Sequence, residues 1–400
     1  MRGLPLSTIA RPLEPGHDLQ VLVPAPRTTT DPVRSGRDVL LLNWRDLTNP
    51  EGGGSELYVE SLAARLARRG DRVTLFCADH GAAPRDEVKD GVRYVRRGNH
   101  ITVYLWAALF LVLGKLGRTG TVIEVHNGVP FLARLFTRRR VVVLVHHVHR
   151  EQWGVVFGPK VARLGWWLES WVAPRVNRRC SYVAVSEVTK TELVGLGVDA
   201  RRISVVHNGT SPAFPVLSTR STVPTIAVLG RLVPHKRVEL VIEAAAALRS
   251  EIPDLRVEVA GDGYWHDELV AKVVSLGLED VVTIHGRVSE PDKHELLARS
   301  WVHAVPSLKE GWGLSVVEAA GHGTPSVAFR YAGGLAESIV DGVTGVLADD
   351  EAGFQEALRT LLTDSTERVC LGRAARVHAA RFTWAATAAG FSDVLDGSRG

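Results

Sequence analysis

The segment Asp38 to Phe76 reads DVLLLNWRDLTNPEGGGSELYVESLAARLARRGDRVTLF. Val39-Leu40-Leu41-Leu42 is a short apolar run without alternation, as a parallel strand buried on both faces requires. The loop Asn43 to Gly54 ends in three glycines. Ser55 is then placed to cap a helix through Arg69, with Leu57, Leu62 and Leu66 along it. Gly70 stops the helix, and Val73-Thr74-Leu75-Phe76 is the next strand. Strand, glycine loop, helix, strand is how a doubly wound sheet begins.

Working outward, strands are expected at Thr121 to Val125, Val141 to Val145, Tyr182 to Val185 and Ile203 to Val206. Thr210 to Pro224 is rich in Pro, Thr and Ser with no period, and reads as a linker. The pattern restarts at Thr225. Strands are expected at Ile226 to Leu229, Val257 to Ala260, Val282 to His285, Trp301 to Pro306 and Ser326 to Phe329, with a helix over Val238 to Arg249. Two such runs imply an α/β protein of two Rossmann-like, doubly wound domains facing a cleft. The expected division is an N-terminal arm over 1–36, a first domain over 37–209, a linker over 210–224 and a second domain over 225–380. A C-terminal helix within 381–400 would pack back on the first domain.

The bulk properties agree. Four hundred residues exceed one ordinary core, and 45% apolar with 23% charged is globular. A net charge of +4 argues against a dedicated nucleic-acid binder. Cys77, Cys180 and Cys370 are odd in number and lack CxxC spacing, so neither a disulfide framework nor a zinc site follows; a reducing cytoplasm is the simplest setting. The first 36 residues lack a continuous apolar core and read as a mobile arm. Ile101 to Leu113 is too short to span a membrane and reads as a buried helix.

Two stretches carry the chemistry. In Glu310-Gly311-Trp312-Gly313-Leu314-Ser315-Val316-Val317-Glu318, a strand end meets a loop whose glycines let backbone approach a ligand. Ser315 is placed to cap the following helix, whose first amides favour anions or sugar hydroxyls. Glu310 and Glu318 can grip two separate diols of one ligand. The plainer reading is a capping loop with a first-turn glutamate favoured by the helix dipole. The second stretch is Gly230-Arg231-Leu232-Val233-Pro234-His235-Lys236-Arg237. Arg231 as a fork and Lys236 as a point charge would neutralise a diphosphate at a strand-to-helix turn. The plainer reading is a solvated basic loop.

With Gly53-Gly54-Ser55-Glu56 and Val206-His207-Asn208-Gly209, these stretches resemble the family 4 retaining glycosyltransferases of GT-B fold. The glycine loop, the pre-linker Asn-Gly turn, the phosphate clamp and the paired glutamates come in the family's order, with seven residues between Glu310 and Glu318. The resemblance implies a nucleoside-diphosphate sugar donor, linked to UDP or GDP. Arg231 and Lys236 would hold the diphosphate, Glu318 the ribose and Glu310 the donor sugar. Gly311, Trp312, Gly313 and Leu314 would offer backbone amides. Gly53 and Gly54 would face them, and Val288 would sit near the base. His146, ending the strand Val141 to Val145, corresponds to a family histidine that lies near the donor sugar and helps catalysis. The family often has an acid next, where this chain has His147. The resemblance also implies retention by front-face attack, with the leaving phosphate oxygen taking the acceptor's proton. His126 and Asn127 end another strand toward the same cleft.

No Asp-x-Asp clamp stands out, and His146-His147-Val148-His149 lacks metal-ligand spacing, so no metal or other cofactor is expected. From Arg134 to Arg179 run ten Lys or Arg residues and two acids, Glu151 and Glu169, interleaved with Trp153, Trp166, Trp167 and Trp171. Such a face suits an anionic membrane surface and a lipid-linked or cell-envelope acceptor, in an enzyme peripheral to the inner face of the membrane. The plainer reading packs the tryptophans inward and solvates the arginines. The rival functions are a nucleotide-sugar 2-epimerase or phosphorylase on the same fold, and a non-catalytic sugar-nucleotide binder. An epimerase wants no separate acceptor, and a phosphorylase wants a pyridoxal lysine with no distinct signal here. The intact Arg231, Lys236, Glu310 and Glu318 set speaks against a mere binder.

Overall fold

The computed structural model describes residues 36–117, 120–211, 216 and 219–397. The expected N-terminal arm lies outside these apart from Gly36, as does part of the linker stretch.

Strands β1 (Asp38–Leu42), β2 (Arg72–Cys77), β3 (Asp86–Lys89), β4 (Val92–Arg96), β5 (Thr121–His126), β6 (Arg140–Val145), β7 (Ser181–Ala184) and β8 (Ile203–Val205) form one sheet. Its order is β3-β4-β2-β1-β5-β6-β7-β8, parallel except where β3 runs against β4. Strands β9 (Thr225–Leu229), β10 (Arg256–Ala260), β11 (Val282–Ile284), β12 (Val302–Val305), β13 (Ser326–Phe329) and β14 (Gly345–Ala348) form the other, in the order β11-β10-β9-β12-β13-β14. Counted within its sheet, that order is 3-2-1-4-5-6, the doubly wound arrangement. Each sheet winds outward in both directions from its first strand. The connections beyond β1 and β5, and beyond β9 and β12, therefore diverge and leave a crevice at the strand C-termini.

The lack of alternation in β1 has a simple packing cause. Val39 and Leu41 join a core with Tyr58, Val59, Leu62 and Leu66 of the helix Gly54–Arg68. Leu40 and Leu42 join a separate core on the opposite face, with Phe76, Val143 and the helix Val103–Val112. All four are almost wholly buried. Each contributes about 1.5–3 kcal/mol of transfer free energy. The second sheet has its own core, built on Ile226, Val228, Val257, Val302, Val327 and Phe329.

The C-terminal helix Trp384–Asp396 lies against the helix Gly54–Arg68, with Trp384 edge-on to Tyr58 at 6.0 Å between ring centroids. Thr383 caps it by accepting the Ala386 amide at 3.1 Å. Trp312, from the second half, sits in the same core beside His207 and Phe382, at 4.4 and 4.9 Å. Polar contacts also join the halves. Glu337 accepts the Glu187 and Val188 amides at 2.9 and 2.7 Å, which satisfies the start of the helix Glu187–Gly195. Lys309 pairs with Glu192.

Candidate functional site

The connection beyond β1 is locked from within. Glu56 is fully buried, and its Oε2 accepts the Gly53 amide at 2.8 Å. Its Oε1 accepts the Ser55 hydroxyl at 2.7 Å and lies 3.0 Å from the Arg45 Nε. Burial pushes the Glu56 carboxyl up, but Arg45, Ser55 and the Gly53 amide outweigh it, and its pKa ends below the usual value. Asn127, just beyond β5, donates to the Ser55 hydroxyl at 2.9 Å. His126 turns away to Glu124 at 2.8 Å. The helix starts at Gly54 with Gly53 as its cap residue, not with Ser55: the reaching Glu56 side chain makes the capping contact that Ser55 was expected to make.

The connection beyond β9 is less committed. Arg231 is exposed in the crevice and forms no ion pair among the described residues. Lys236, at the end of the turn Pro234–Lys236, pairs with the Glu310 carboxylate, which also accepts the Ser307 hydroxyl at 2.8 Å. Burial raises the Glu310 pKa, and Lys236 with Ser307 lowers it by more, so the carboxylate stays charged. Beyond it the chain turns at Gly313, whose φ of +90° suits glycine, and the helix Leu314–Gly321 starts there. The expected cap at Ser315 is thus two residues late, because the left-handed glycine begins the helix without a side-chain cap. Glu318 lies in this helix and pairs with Lys293 at 2.8 Å. Burial outweighs Lys293 there, and the Glu318 pKa is raised. Val288 is half-buried against a small core with Leu296 and Ala319. The Trp312 side chain is committed to the core beside His207, so that residue offers only its backbone to the crevice.

The facing connections touch, and at Gly311 a side chain would not fit. A Cβ on Gly311 would stand 2.2 Å from the His146 carbonyl oxygen. One on Gly54 would meet the Leu314 Cδ1 at 2.9 Å, and one on Gly53 would lie 3.9 Å from the Arg231 Nε. Gly53, Gly54, His146, Arg231, Gly311 and Leu314 therefore line one seam, with Lys236 and Glu310 paired beside it.

His146 follows β6 directly and is buried, with the edge of Tyr58 against its ring at 5.3 Å. Its Nε2 has no hydrogen-bond partner. Burial, opposed in part by Glu56, pushes its pKa down to about 4, so the ring is neutral at pH 7. Behind it the His147 Nε2 donates to the Gln152 Oε1 at 2.9 Å, and its ring lies tilted against His149 with 4.0 Å between centroids. His149 and the Trp153 indole both bond to the buried Glu169, at 2.9 and 2.7 Å.

Sequence reasoning missed Arg45, the anchoring role of Glu56, Lys293 and the His149–Glu169–Trp153 cluster. Arg45 and Glu56 flank the glycines that were read as the signal. Lys293 reaches Glu318 across 25 residues, which no local pattern marks. The basic, aromatic stretch divides. Trp153 is buried and Trp166 packs on the core of the first sheet, whereas Trp167 and Trp171 are about half exposed and stack at 5.7 Å. Nor is Ile101 to Leu113 a buried helix: Val103, Ala107, Phe110 and Leu111 face the core, while Leu105, Leu109 and Val112 face outward.

Two doubly wound domains meeting at a glycine seam lined by cations and paired carboxylates define the GT-B class of glycosyltransferase. A family model described as "Glycosyltransferase Family 4" matches residues 52–214, and one described as "Glycosyl transferases group 1" matches 212–378. A D-inositol 3-phosphate glycosyltransferase of Kribbella flavida is 33% identical over 84% of this chain and 89% of its own length. Matches to proteins of the same description from Arthrobacter sp. and Salinispora arenicola, 38% and 34% identical, cover 40% and 52% of this chain and only 39% and 50% of those proteins. Among solved structures, sucrose-phosphate synthase from Thermosynechococcus elongatus shares the fold, with a TM-score of 0.76 and 19% identity over 90% of this chain and 98% of that one. The Anabaena protein HepE, solved with UDP-glucose, gives a TM-score of 0.73 at 20% identity, over 90% and 100%. The chain belongs to glycosyltransferase family 4 and is a glycosyltransferase.

Proposed function

We propose that this protein moves a sugar from a UDP- or GDP-linked donor to an acceptor hydroxyl, with retention and without a metal ion. The observation that carries this reading is the exposed Arg231, unpaired among the described residues, beside the Lys236–Glu310 pair and set against the facing glycines. Arg231 and Lys236 neutralise the diphosphate, and the amides of Gly311 to Leu314 meet its oxygens at a helix start. Glu318 takes the ribose hydroxyls and Val288 lies toward the base. When Lys236 turns to phosphate, it releases Glu310 to the donor sugar hydroxyls.

In the reaction the bond from the anomeric carbon to the phosphate oxygen breaks. The acceptor oxygen bonds to that carbon on the same face, and its proton passes to the leaving phosphate oxygen. Burial lowers the His146 pKa to about 4, which suits this ring to orienting donor or acceptor as a neutral hydrogen-bonding group. The related sequences described as D-inositol 3-phosphate glycosyltransferases make a phosphorylated polyol one acceptor to try. The basic, tryptophan-bearing first half supports another: a lipid-linked or cell-envelope precursor reached from the cytoplasmic face of a membrane.

Incubating the protein with UDP- and GDP-sugars and measuring released nucleotide, with and without EDTA, tests the reading. Slow donor hydrolysis that survives EDTA is expected. If no donor releases nucleotide with or without an acceptor, the chain is a binder and the reaction assigned here is wrong.

A further inference from the structure

We infer that the outer face of the first domain carries a two-ridge anchor that seats the enzyme on an anionic lipid bilayer, next to the crevice. This deepens the acceptor reading above and rests on it only for the purpose of the docking. The first ridge is the helix Val103–Val112 and its ends, where Ile101, Leu105, Leu109, Val112 and Leu113 are 46–71% exposed. The second is the helix Pro159–Trp167 and the turn after it, where Val161, Leu164, Trp167 and Trp171 are 48–56% exposed. Apolar side chains exposed in such a run mark an interaction surface.

Both ridges lie on the same side of the molecule. The buried positions of the first, Val103, Ala107, Phe110 and Leu111, pack into the core on one face of the first sheet. Trp166 of the second ridge packs on that same core. Their outer surfaces therefore point away from that face together. Among the described residues, no helix is long and apolar enough to cross a membrane. The ridges suit the interfacial plane, where half-buried aromatic and aliphatic side chains sit at the boundary of headgroups and acyl chains.

Charge decides the occupant. Arg134, Arg138, Arg150, Lys160, Arg163, Arg175, Arg178 and Arg179 are exposed, and none forms an ion pair with a carboxylate among the described residues. Lys160 and Arg163 alternate with Val161 and Leu164 on one helix. The Arg175 guanidinium lies 4.1 Å over the Trp171 ring. Of the two acids in the stretch, Glu169 is buried against His149 and Trp153. Exposed apolar groups interleaved with these cations match an anionic bilayer, whereas a second copy of this chain would bring the same positive charge to the face. The second ridge also begins beside the chemistry. His147 lies 4.0 Å from His149, His149 lies 6.5 Å from Trp153, and Trp153 lies 5.5 Å from Phe157, which is 47% exposed. This aromatic row leads from the residue next to His146 to the docking face.

Sedimentation of the full chain with phosphatidylcholine vesicles, with and without phosphatidylglycerol, tests the proposal, at low and high salt. Binding is expected only with phosphatidylglycerol, with a blue shift of tryptophan emission and release at high salt, where charges are screened over a few ångströms. Trp167→Ser with Trp171→Ser, or Leu105→Ser with Leu109→Ser, should each cut partitioning by about tenfold or more. UDP or GDP binding, measured on the same variants without vesicles, should not change. Equal recovery with neutral and anionic vesicles overturns the proposal. So does a wild-type dimer in sedimentation velocity that the same substitutions dissociate, because the ridges would then cover each other. Vesicle binding by a protein that binds no nucleotide sustains the anchor and sinks the donor reading instead.

Discussion

The two connections that meet at the crevice are built from the same kinds of residue and use them in opposite ways. Beyond β1, Arg45 lies 3.0 Å from Glu56 as a buried ion pair, and Glu56 also holds the Gly53 amide and the Ser55 hydroxyl. Beyond β9 and β12, Arg231 is unpaired among the described residues, and Lys236 with Glu310 and Lys293 with Glu318 are part-buried pairs. The first arrangement is a fixed wall whose charges serve the fold. The second holds charges that, in the function proposed above, exchange partners when an anion arrives. Preorganised backbone on one side and exchangeable side chains on the other is a division suited to a bound diphosphate sugar.

Breaking the wall should have the largest effect. Glu56→Ala leaves Arg45, only 5% exposed, without its buried partner and frees the Gly53 amide. We expect a loss of about 3–5 kcal/mol of stability, read by chemical denaturation. A loss below about 1 kcal/mol would mean that the loop is held by its backbone alone.

The exchangeable side should respond in function instead. If Glu310 takes the donor sugar as proposed, Glu310→Ala should lower turnover on the order of a hundredfold with nucleotide affinity little changed. Glu318→Ala should do the reverse and raise the dissociation constant of the free nucleotide. Steady-state kinetics with calorimetry separates the two, and loss of nucleotide affinity alone in both variants would remove the distinction.

A smaller effect comes from the histidines. Burial first of all holds the pKa of His146, His235 and His322 near 4 and that of His303 near 3. In the unfolded chain these groups titrate near 6.5. Between those values the unfolded state binds more protons, so their contribution is fully present above pH 6.5 and is lost as the pH falls toward 4. The melting temperature should therefore drop between pH 6.5 and 4.5, and His303→Asn should make the drop shallower. A melting temperature flat across that window would contradict their burial as neutral rings.

The sequence made the wall's position legible and its chemistry only in part. Val39 to Leu42 and Ile226 to Leu229 announce buried parallel strands because both faces of each sheet are covered. The strand Asp86–Lys89 gave no such signal, since it is an exposed edge, and neither did β4 or β14, whose short mixed runs lack a period. Helix starts were misplaced at Ser55 and Ser315 because glycines begin both helices. Gly53, Gly54, Arg231, Lys236, Glu310 and Glu318 stood out by their place after strands. Arg45 and Lys293 did not, because their partners are set by tertiary contact, and the split of the four tryptophans depends on which helix face meets the core.

The central claim is that Arg231 and Lys236 hold a nucleoside diphosphate by themselves. Calorimetric titration of UDP and GDP into the wild type, Arg231→Ala and Lys236→Ala, with and without EDTA, tests it most directly. The account predicts wild-type binding unchanged by EDTA and a loss of about 1.5–3 kcal/mol in each variant. Wild-type binding that vanishes in EDTA, or variants that bind as tightly as the wild type, would contradict it.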